Sequence, residues 1–570
     1  MKRLLAVIAL CLCTLSQGHS APTGVPGWLS SSVFYQIYPS SYMDSDGDGI
    51  GDLPGIQSRL DYIKDLGVTA LWLNPVFLSG WRDGGYDVID FYLVDPRFGT
   101  NSDMVRLIEE VHRRGMKICL DLVAGHTSDR CEWFLQSRSG KDLRYSDYYI
   151  WTDEVSPEEL EKIRTRRAQP DPASSTIGRF VEANAPRAKY YEKNYYESQP
   201  ALNYGYASPD PSHPWEQAID APGPRATRQE LRNIMSFWFD KGIDGFRVDL
   251  ASSLIKNDDE QKSATSRLWG EMRRWRDENY PDKVLIAEWF NPGQSIPAGF
   301  DMDFFSLTRR GPDRGKAGMN ITGLSTPENP AYFSLEGKGS IKEFLDNYGR
   351  NYSETRSLGY IAVPTGNHDN PRMRLGGRNT EEQLKVAMTF FLTLPGIPLI
   401  YYGDEIGMKY QSGIAPKEGS RDRAGTRTPM QWDTTKSAGF STAPPERLYF
   451  PVDTDGGRIS VSEQLEDPSS LLNHVKTLLG LRRKFSALGN DGLWEYIGKD
   501  DAPYPMVYRR YDNTGEFLVV VNPSGESRVV ELPEGTWQTV NLVGKILIRS
   551  KKGSSLLTIE GCSSVILEKI

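Results

Sequence analysis

The chain has 570 residues, 38% of them hydrophobic and 25% charged, with 67 Lys and Arg against 75 Asp and Glu for a net charge of −8. That length exceeds what one hydrophobic core fills, so at least two domains are expected, and the ordinary composition excludes a stapled miniprotein or a disordered chain. A mildly acidic balance lacks the basic field that nucleic-acid binding draws on, so nucleic acid is excluded as a partner.

The N-terminus carries Lys2 and Arg3, an apolar run from Leu4 to Leu15 interrupted only by Thr14, and the small residues Gly18, Ser20 and Ala21. This pattern predicts a signal peptide over residues 1–20 and a secreted protein. A membrane-spanning helix needs about 20 apolar residues, more than this run supplies, so no membrane anchor is expected. Cleavage leaves Cys119, Cys131 and Cys562, an odd number that gives no disulfide framework. Sequons at Asn320 and Asn351 fit a secretory chain.

Short β-rich runs at 33–38, 68–73, 116–122, 244–249, 283–288, 303–307, 360–365 and 398–402 follow. Helical periodicity lies between them, as at 55–66, 102–114, 227–241 and 380–394. Eight βα units predict an α/β chain folded as a TIM (β/α)8 barrel, assigned to residues 21–124 and 226–488, with its active site at the C-terminal strand ends. The stretch 125–225, rich in Tyr, Pro, Asp and Ser, is too long for an ordinary βα connection and is expected to be an inserted subdomain after strand 3. From 489 to 570 short alternating strands without helices predict a C-terminal antiparallel β-sandwich domain.

One loop and one set of strand ends carry chemistry. In DSDGDGIGD, Asp44, Asp46, Asp48 and Asp52 alternate around Gly49, so that their carboxylates and the Ile50 carbonyl can converge on one hard cation. Position twelve is Gly55 where an EF-hand needs Glu, and a strand precedes the loop, so a true EF-hand is not expected. On the fourth strand Arg247 and Asp249 are two residues apart and share a face. The fifth strand ends in Glu288 and the seventh in His368 and Asp369, which brings three carboxylates to one barrel mouth. Neighbouring strands lie about 4.8 Å apart, close to the ~5–5.5 Å carboxyl separation of a retaining glycosidase. Arg247 keeps Asp249 ionised as a nucleophile, whereas Ala287 and Trp289 desolvate Glu288 toward a proton donor. Any one of these acids alone is more economically read as a strand-end ion pair; three together, with His126 and His368, favour catalysis. No metal or organic cofactor is needed for such chemistry.

Nine stretches in order along the barrel resemble the α-amylase superfamily of glycoside hydrolases, and within it the α-glucosidase, oligo-1,6-glucosidase and insect maltase or sucrase group. They are FYQIYPSSYMDSDGDGIGDLPGI (34–56), GGYDVIDFYLVDPRFGT (84–100), DLVAGHTS (121–128), QPALN (199–203), GFRVDL (245–250), IAEW (286–289), GNHD (366–369), LPGIPLIYYGDEIGM (394–408) and RTPMQWD (427–433). The resemblance implies Asp249 as nucleophile, Glu288 as acid/base and Asp369 as transition-state stabiliser. It implies His126, Arg247 and His368 as donors around a glucose, with Tyr86 as its stacking platform. It further implies a pocket wall closed by Asp83 with Arg427, Arg421 being the alternative arginine, and a structural Ca2+ at Asp44, Asp46, Asp48, Ile50 and Asp52. Gly125, Ala201 and Leu250 depart from the usual pattern: the first puts the calcium site of true α-amylases in doubt, and the last prevents transfer of linkage preference. The sequence thus predicts a secreted retaining exo-α-glucosidase with a small-molecule sugar as its partner, most simply sucrose or maltose. A transglycosylase or sucrose isomerase on the same site is the second reading. A non-catalytic relative like the heavy subunits of amino-acid transporters is the third, disfavoured by the intact carboxylates and the lack of an anchor.

Overall fold

Eight parallel strands close into a barrel: β1 (Phe34–Ile37), β2 (Ala70–Leu73), β3 (Lys117–Leu122), β4 (Gly245–Val248), β5 (Val284–Ala287), β6 (Met302–Phe304), β7 (Tyr360–Pro364) and β8 (Ile397–Tyr401). Each pairs with its neighbours in sequence, and β8 pairs back to β1. The structure, a computed structural model, describes residues 21–570 apart from 142, 170, 172, 174, 309–318, 454–458, 499–502 and 552–553. The expected signal peptide lies outside the described residues.

Period-2 alternation decides what fills the barrel. Phe34, Trp72, Cys119, Ile286, Met302, Phe304, Ala362 and Leu399 belong to one buried apolar cluster, in which the rings of Trp72 and Phe304 stack at 5.4 Å. Two residues further along the same strand faces the side chains turn polar: Gln36 after Phe34, Asn74 after Trp72, Asp121 after Cys119 and Glu288 after Ile286. Arg247 on β4 and Asp249 just after it occupy that face. The apolar plug thus supports a polar floor at the C-terminal ends of the strands.

Helices cover the barrel. Helix Asn101–Arg113 begins with a capping box of Thr100 and Asp103, and Glu381–Thr393 with one of Thr380 and Gln383. The helix expected over 55–66 is two helices, Leu53–Ser58 and Leu60–Leu66. Arg59 between them leaves helical dihedrals (φ −110°, ψ 8°), and its guanidinium packs 4.4 Å over the Trp432 ring. The helix expected from 227 begins at Pro222, a residue suited to a first turn. Among the described residues, no helix is long and apolar enough to cross a membrane.

Two excursions rise from the barrel mouth. After β2, the hairpin Phe77–Ser79/Val88–Val94 holds Asp83 and Tyr86 in its connection. After β3, the long connection forms helices Glu132–Ser139 and Pro157–Arg167 and a three-stranded sheet of Trp151–Thr152, Tyr190–Glu192 and Phe180–Glu182. At the C-terminus, a five-stranded and a three-stranded antiparallel sheet enclose Val507, Leu518, Val520, Leu557 and Val565. Cys119, Cys131 and Cys562 are free thiols. Both sequon asparagines are buried, with their side-chain amides donating to main-chain carbonyls, Asn320 to Leu324 and Asn351 to Asn347.

Candidate active site

Arg247 organises the floor of the barrel mouth. Its guanidinium contacts Asp121 at 2.8 Å, Asp249 at 2.9 Å and Glu288 at 2.7 Å, and all four side chains are buried or nearly so. Val248 and Ala287 are directly paired in the β4–β5 register, so Asp249 and Glu288 are the next residues of adjacent strands. One cation cannot balance three ionised carboxylates removed from water, where each unpaired charge costs several kcal/mol. A proton therefore stays in the cluster. Burial pushes Glu288 up to about 8, with Arg247 opposing and Asp249 adding to the rise. Burial also raises Asp249 to about 7 and Asp121 to about 6, both opposed by Arg247. Burial raises all three, and the proton is shared within the cluster, where Glu288 hydrogen-bonds Asp249 and accepts from the Leu250 N–H at 2.8 Å. Leu250 adopts a left-handed conformation (φ 47°, ψ 39°), uncommon for a residue with a side chain and a local strain beside Asp249. Two buried carboxyl groups that share a proton and one guanidinium thus stand side by side.

Asp369 is tuned the opposite way. Burial alone would raise its carboxyl, but the guanidinium groups of Arg427 and Arg423 hold it well below the usual carboxylate range; burial keeps the neighbouring His368 neutral. It contacts Arg423 at 2.8 Å, Arg427 at 3.1 Å and His368 at 3.2 Å. Arg423 also contacts Asp83 at 2.9 Å. The expected partnership of Asp83 with Arg427 is therefore corrected: Arg427 spends its Nε on the His368 carbonyl at 2.8 Å, and the short helical turn Arg421–Thr426 brings Arg423 across instead. Arg421 lies over the Tyr196 ring at 5.2 Å. Gln199 donates to the other Asp83 oxygen at 2.9 Å.

Tyr86 and His368 stack at 5.4 Å with planes 8° apart. The Tyr86 hydroxyl accepts from Asn74 at 3.0 Å and donates to Asp121 at 3.0 Å. Its single proton being committed, the contact of 2.7 Å to His368 Nε2 has the imidazole donating. Gln36 donates to His368 Nδ1 at 2.9 Å, which requires the same tautomer. His126, expected to present a donor to sugar, has both nitrogens engaged by protein: Nε2 lies 2.9 Å from the Tyr86 carbonyl and Nδ1 2.9 Å from the Asn194 amide. It braces the Tyr86 segment instead of offering a free donor.

Three supporting residues escaped the sequence reading. Asp121 occupies the inward position of β3 beside Arg247, and its parity with Cys119 is the signal that could have found it. Arg423 is one of three arginines within 421–427, which spacing cannot separate. Asp303, fully buried on β6, has Oδ1 accepting from the N–H groups of Trp289 and Phe290 and Oδ2 from Asn291 N–H and the Ser295 hydroxyl. Burial pushes it up to about 7, and it ties down the turn that follows Glu288.

In the acidic loop, oxygens of Asp44, Asp46 and Asp48 lie within 4.8 Å of one another, a spread compatible with ligand distances of ~2.3–2.6 Å around one Ca2+. Asp52 does not join them. Its carboxylate accepts from Ser45 N–H and from Gly55 N–H as the N-cap of helix Leu53–Ser58, so the donor set expected from the spacing loses that member.

The alpha-amylase catalytic-domain family matches residues 36–491. The chain belongs to that family. It is 31% identical over 564 residues to an oligo-1,6-glucosidase of Heyndrickxia coagulans, covering 90% of this chain and 95% of the relative. It is 29% identical over 603 residues to an alpha-glucosidase of Culex pipiens, covering 99% and 94%. Among solved structures, the trehalulose synthase MutB of Pseudomonas mesoacidophila MX-45 matches with a TM-score of 0.76 and 26% identity, covering 95% of this chain and 99% of that one. A MutB variant has also been solved with its substrate sucrose. This member of the alpha-amylase family is thus a sugar-processing enzyme whose relatives include α-glucosidases and oligo-1,6-glucosidases.

Proposed function

We propose that the enzyme is a retaining, exo-acting α-glucosidase that hydrolyses terminal α-glucosyl bonds of short sugars, with sucrose favoured and maltose next. The observation that carries this reading is the joint hold of Arg247 on Asp249 and Glu288. In the first step an Asp249 oxygen attacks C1 of the glucosyl unit while Glu288 passes its proton to the departing oxygen, giving a covalent β-glucosyl ester. Glu288, now ionised, takes a proton from water, whose oxygen attacks C1 and releases α-glucose and Asp249. Asp369, kept ionised by Arg423 and Arg427, faces the positive charge that develops on the ring.

Exo-action rests on the chain Asp83–Arg423–Asp369, which supplies acceptors and donors for the hydroxyls of one terminal glucose and closes the space behind it. Preference for a small leaving group rests on the bulk of Leu250 beside the nucleophile. Sucrose gains support from the structural match to a sucrose-using relative. The same match favours the second reading, a transglycosylase that returns the glucosyl group to fructose and so isomerises sucrose. Chromatography of products from sucrose, maltose, isomaltose and trehalose tests both. Glucose with fructose from sucrose supports hydrolysis, isomeric disaccharides support the second reading, and turnover confined to isomaltose removes the substrate assignment. A structural Ca2+ held by Asp44, Asp46 and Asp48 is also proposed, with a role in tying the first βα loop and none in the chemistry.

A further inference from the structure

We propose that Asn194 is a positioning residue which, admitted by the missing side chain of Gly125, fixes the tautomer of His126 and through it the Tyr86 wall of the glucose site. The hydrogen-bonding part stands on the geometry and burial of His126; its kinetic consequence rests on the functional reading above.

His126 is buried, and its Nε2 lies 2.9 Å from the Tyr86 main-chain oxygen. A carbonyl oxygen only accepts, so Nε2 carries the hydrogen. Burial holds the ring neutral, pushing it down to about 4. A neutral imidazole has one N–H, so Nδ1 is a bare acceptor, which buried needs a donor. Asn194 Nδ2 stands 2.9 Å away and supplies it. The same logic sets the amide orientation, because the opposite one would leave two acceptors facing each other.

Gly125 makes room for this contact. A Cβ there would come within 2.8 Å of Asn194 Nδ2, while its next neighbour, Leu254 Cδ2, lies at an ordinary 3.6 Å. Gly125 is not among the residues with positive φ, so space and not backbone freedom explains the glycine. The segment bearing Asn194 is itself anchored: Asn194 N–H donates to the Gln199 carbonyl at 2.9 Å, and Leu202 N–H to the Gly125 carbonyl at 3.0 Å. Gln199 from the same segment holds Asp83. The inserted region therefore braces the proposed glucose site at two points, one through His126 and Tyr86 and one through Asp83.

The test combines 15N-imidazole spectra of the full chain, which has six histidines, with kinetics of Asn194→Ala, Asn194→Asp, Gly125→Ala and the double variant Gly125→Ala/Asn194→Ala. The wild-type His126 signal should be that of the Nε2–H tautomer at neutral pH. Asn194→Asp puts an acceptor at Nδ1, so His126 should take up a second proton and show an imidazolium signal, despite the opposing charge of Lys256 nearby. Asn194→Ala and Gly125→Ala should each raise KM about tenfold with kcat little changed, as expected for lost uniform binding. The double variant should be no worse than the worse single, because both remove one contact. Melting curves check that each variant is folded. An Nδ1–H signal in the wild type, an unchanged KM in folded Asn194→Ala and Gly125→Ala, or additive losses in the double variant would overturn the proposal. A wild type without glucosidase activity would instead sink the functional reading, leaving the tautomer measurement to decide the role of Asn194.

Discussion

Replacing Glu288 by Gln removes from the buried cluster the carboxyl proposed to donate the proton. In the wild type, a carboxyl pushed up to about 8 is protonated at neutral pH and loses its proton as pH rises. At one unit above its pKa a donor is about one-tenth protonated, so kcat/KM should fall along an alkaline limb centred near 8. Glutamine keeps an oxygen for the Leu250 N–H, now at 2.8 Å, but turns an amide toward Arg247, now 2.7 Å from a carboxylate oxygen. It cannot donate a proton to a leaving group. Loss of general acid catalysis is worth about 10²–10⁴ in rate, which should appear in full on maltose or sucrose. A nitrophenyl α-glucoside leaves with little protonic help, so its first step should survive. Turnover is then limited by the second step, and azide, which needs no general base, should restore it. The assay is kcat/KM against pH on both substrate classes, with and without azide. Persistence of the alkaline limb in Glu288→Gln, or equal losses on the two classes, would refute the assignment of the proton to Glu288.

Three further outcomes are expected. Arg423→Ala leaves Asp83 with the Gln199 amide as a side-chain donor in the wall and should lower kcat/KM on disaccharides by about two orders of magnitude, whereas a maltooligosaccharide blocked at its non-reducing end should stay inert in the wild type; efficient cleavage of the blocked substrate would show an open cleft. Asp303→Asn can accept through only one oxygen where two now serve Trp289, Phe290, Asn291 and Ser295. It should lower the melting temperature by an amount equivalent to about 1–3 kcal/mol and reduce kcat more than it raises KM, which steady-state kinetics beside calorimetry will show. Chelation should lower the melting temperature without changing kcat of the enzyme still folded, by mass action on Ca2+ at Asp44, Asp46 and Asp48; an identical melting curve in metal-free protein would leave an acidic turn there.

What the sequence disclosed was the part governed by local geometry. Arg247 and Asp249 share a face because they are two residues apart, and Glu288 meets them because β4 and β5 pair in register. The polar floor over an apolar plug follows from the same alternation, and it would have revealed Asp121. Contacts set by long loops were hidden. Arg423 reaches Asp83 across 340 positions, and only the turn Arg421–Thr426 distinguishes it from Arg421 and Arg427. Asn194 reaches His126 across 68 positions, with no motif to mark it. Asp52 shows two local rules in competition: its spacing suits a cation ligand, but Asp two residues before Pro54 also suits a helix N-cap, and the cap prevails. Helix limits moved for similar reasons, since Pro222 starts a helix earlier than its apolar periodicity does.

The central claim is that Asp249 forms a covalent bond to the glucosyl unit, and the most direct test is to trap it. A fluorinated glucosyl fluoride, which forms the ester quickly and hydrolyses it slowly, should inactivate the enzyme with one label per chain. Peptide mass spectrometry should place that label on Asp249 within GFRVDL, and NMR of the untrapped reaction should show α-glucose as the first-formed anomer. A label on Asp121 or Asp369, or β-glucose as the first product, would contradict the account.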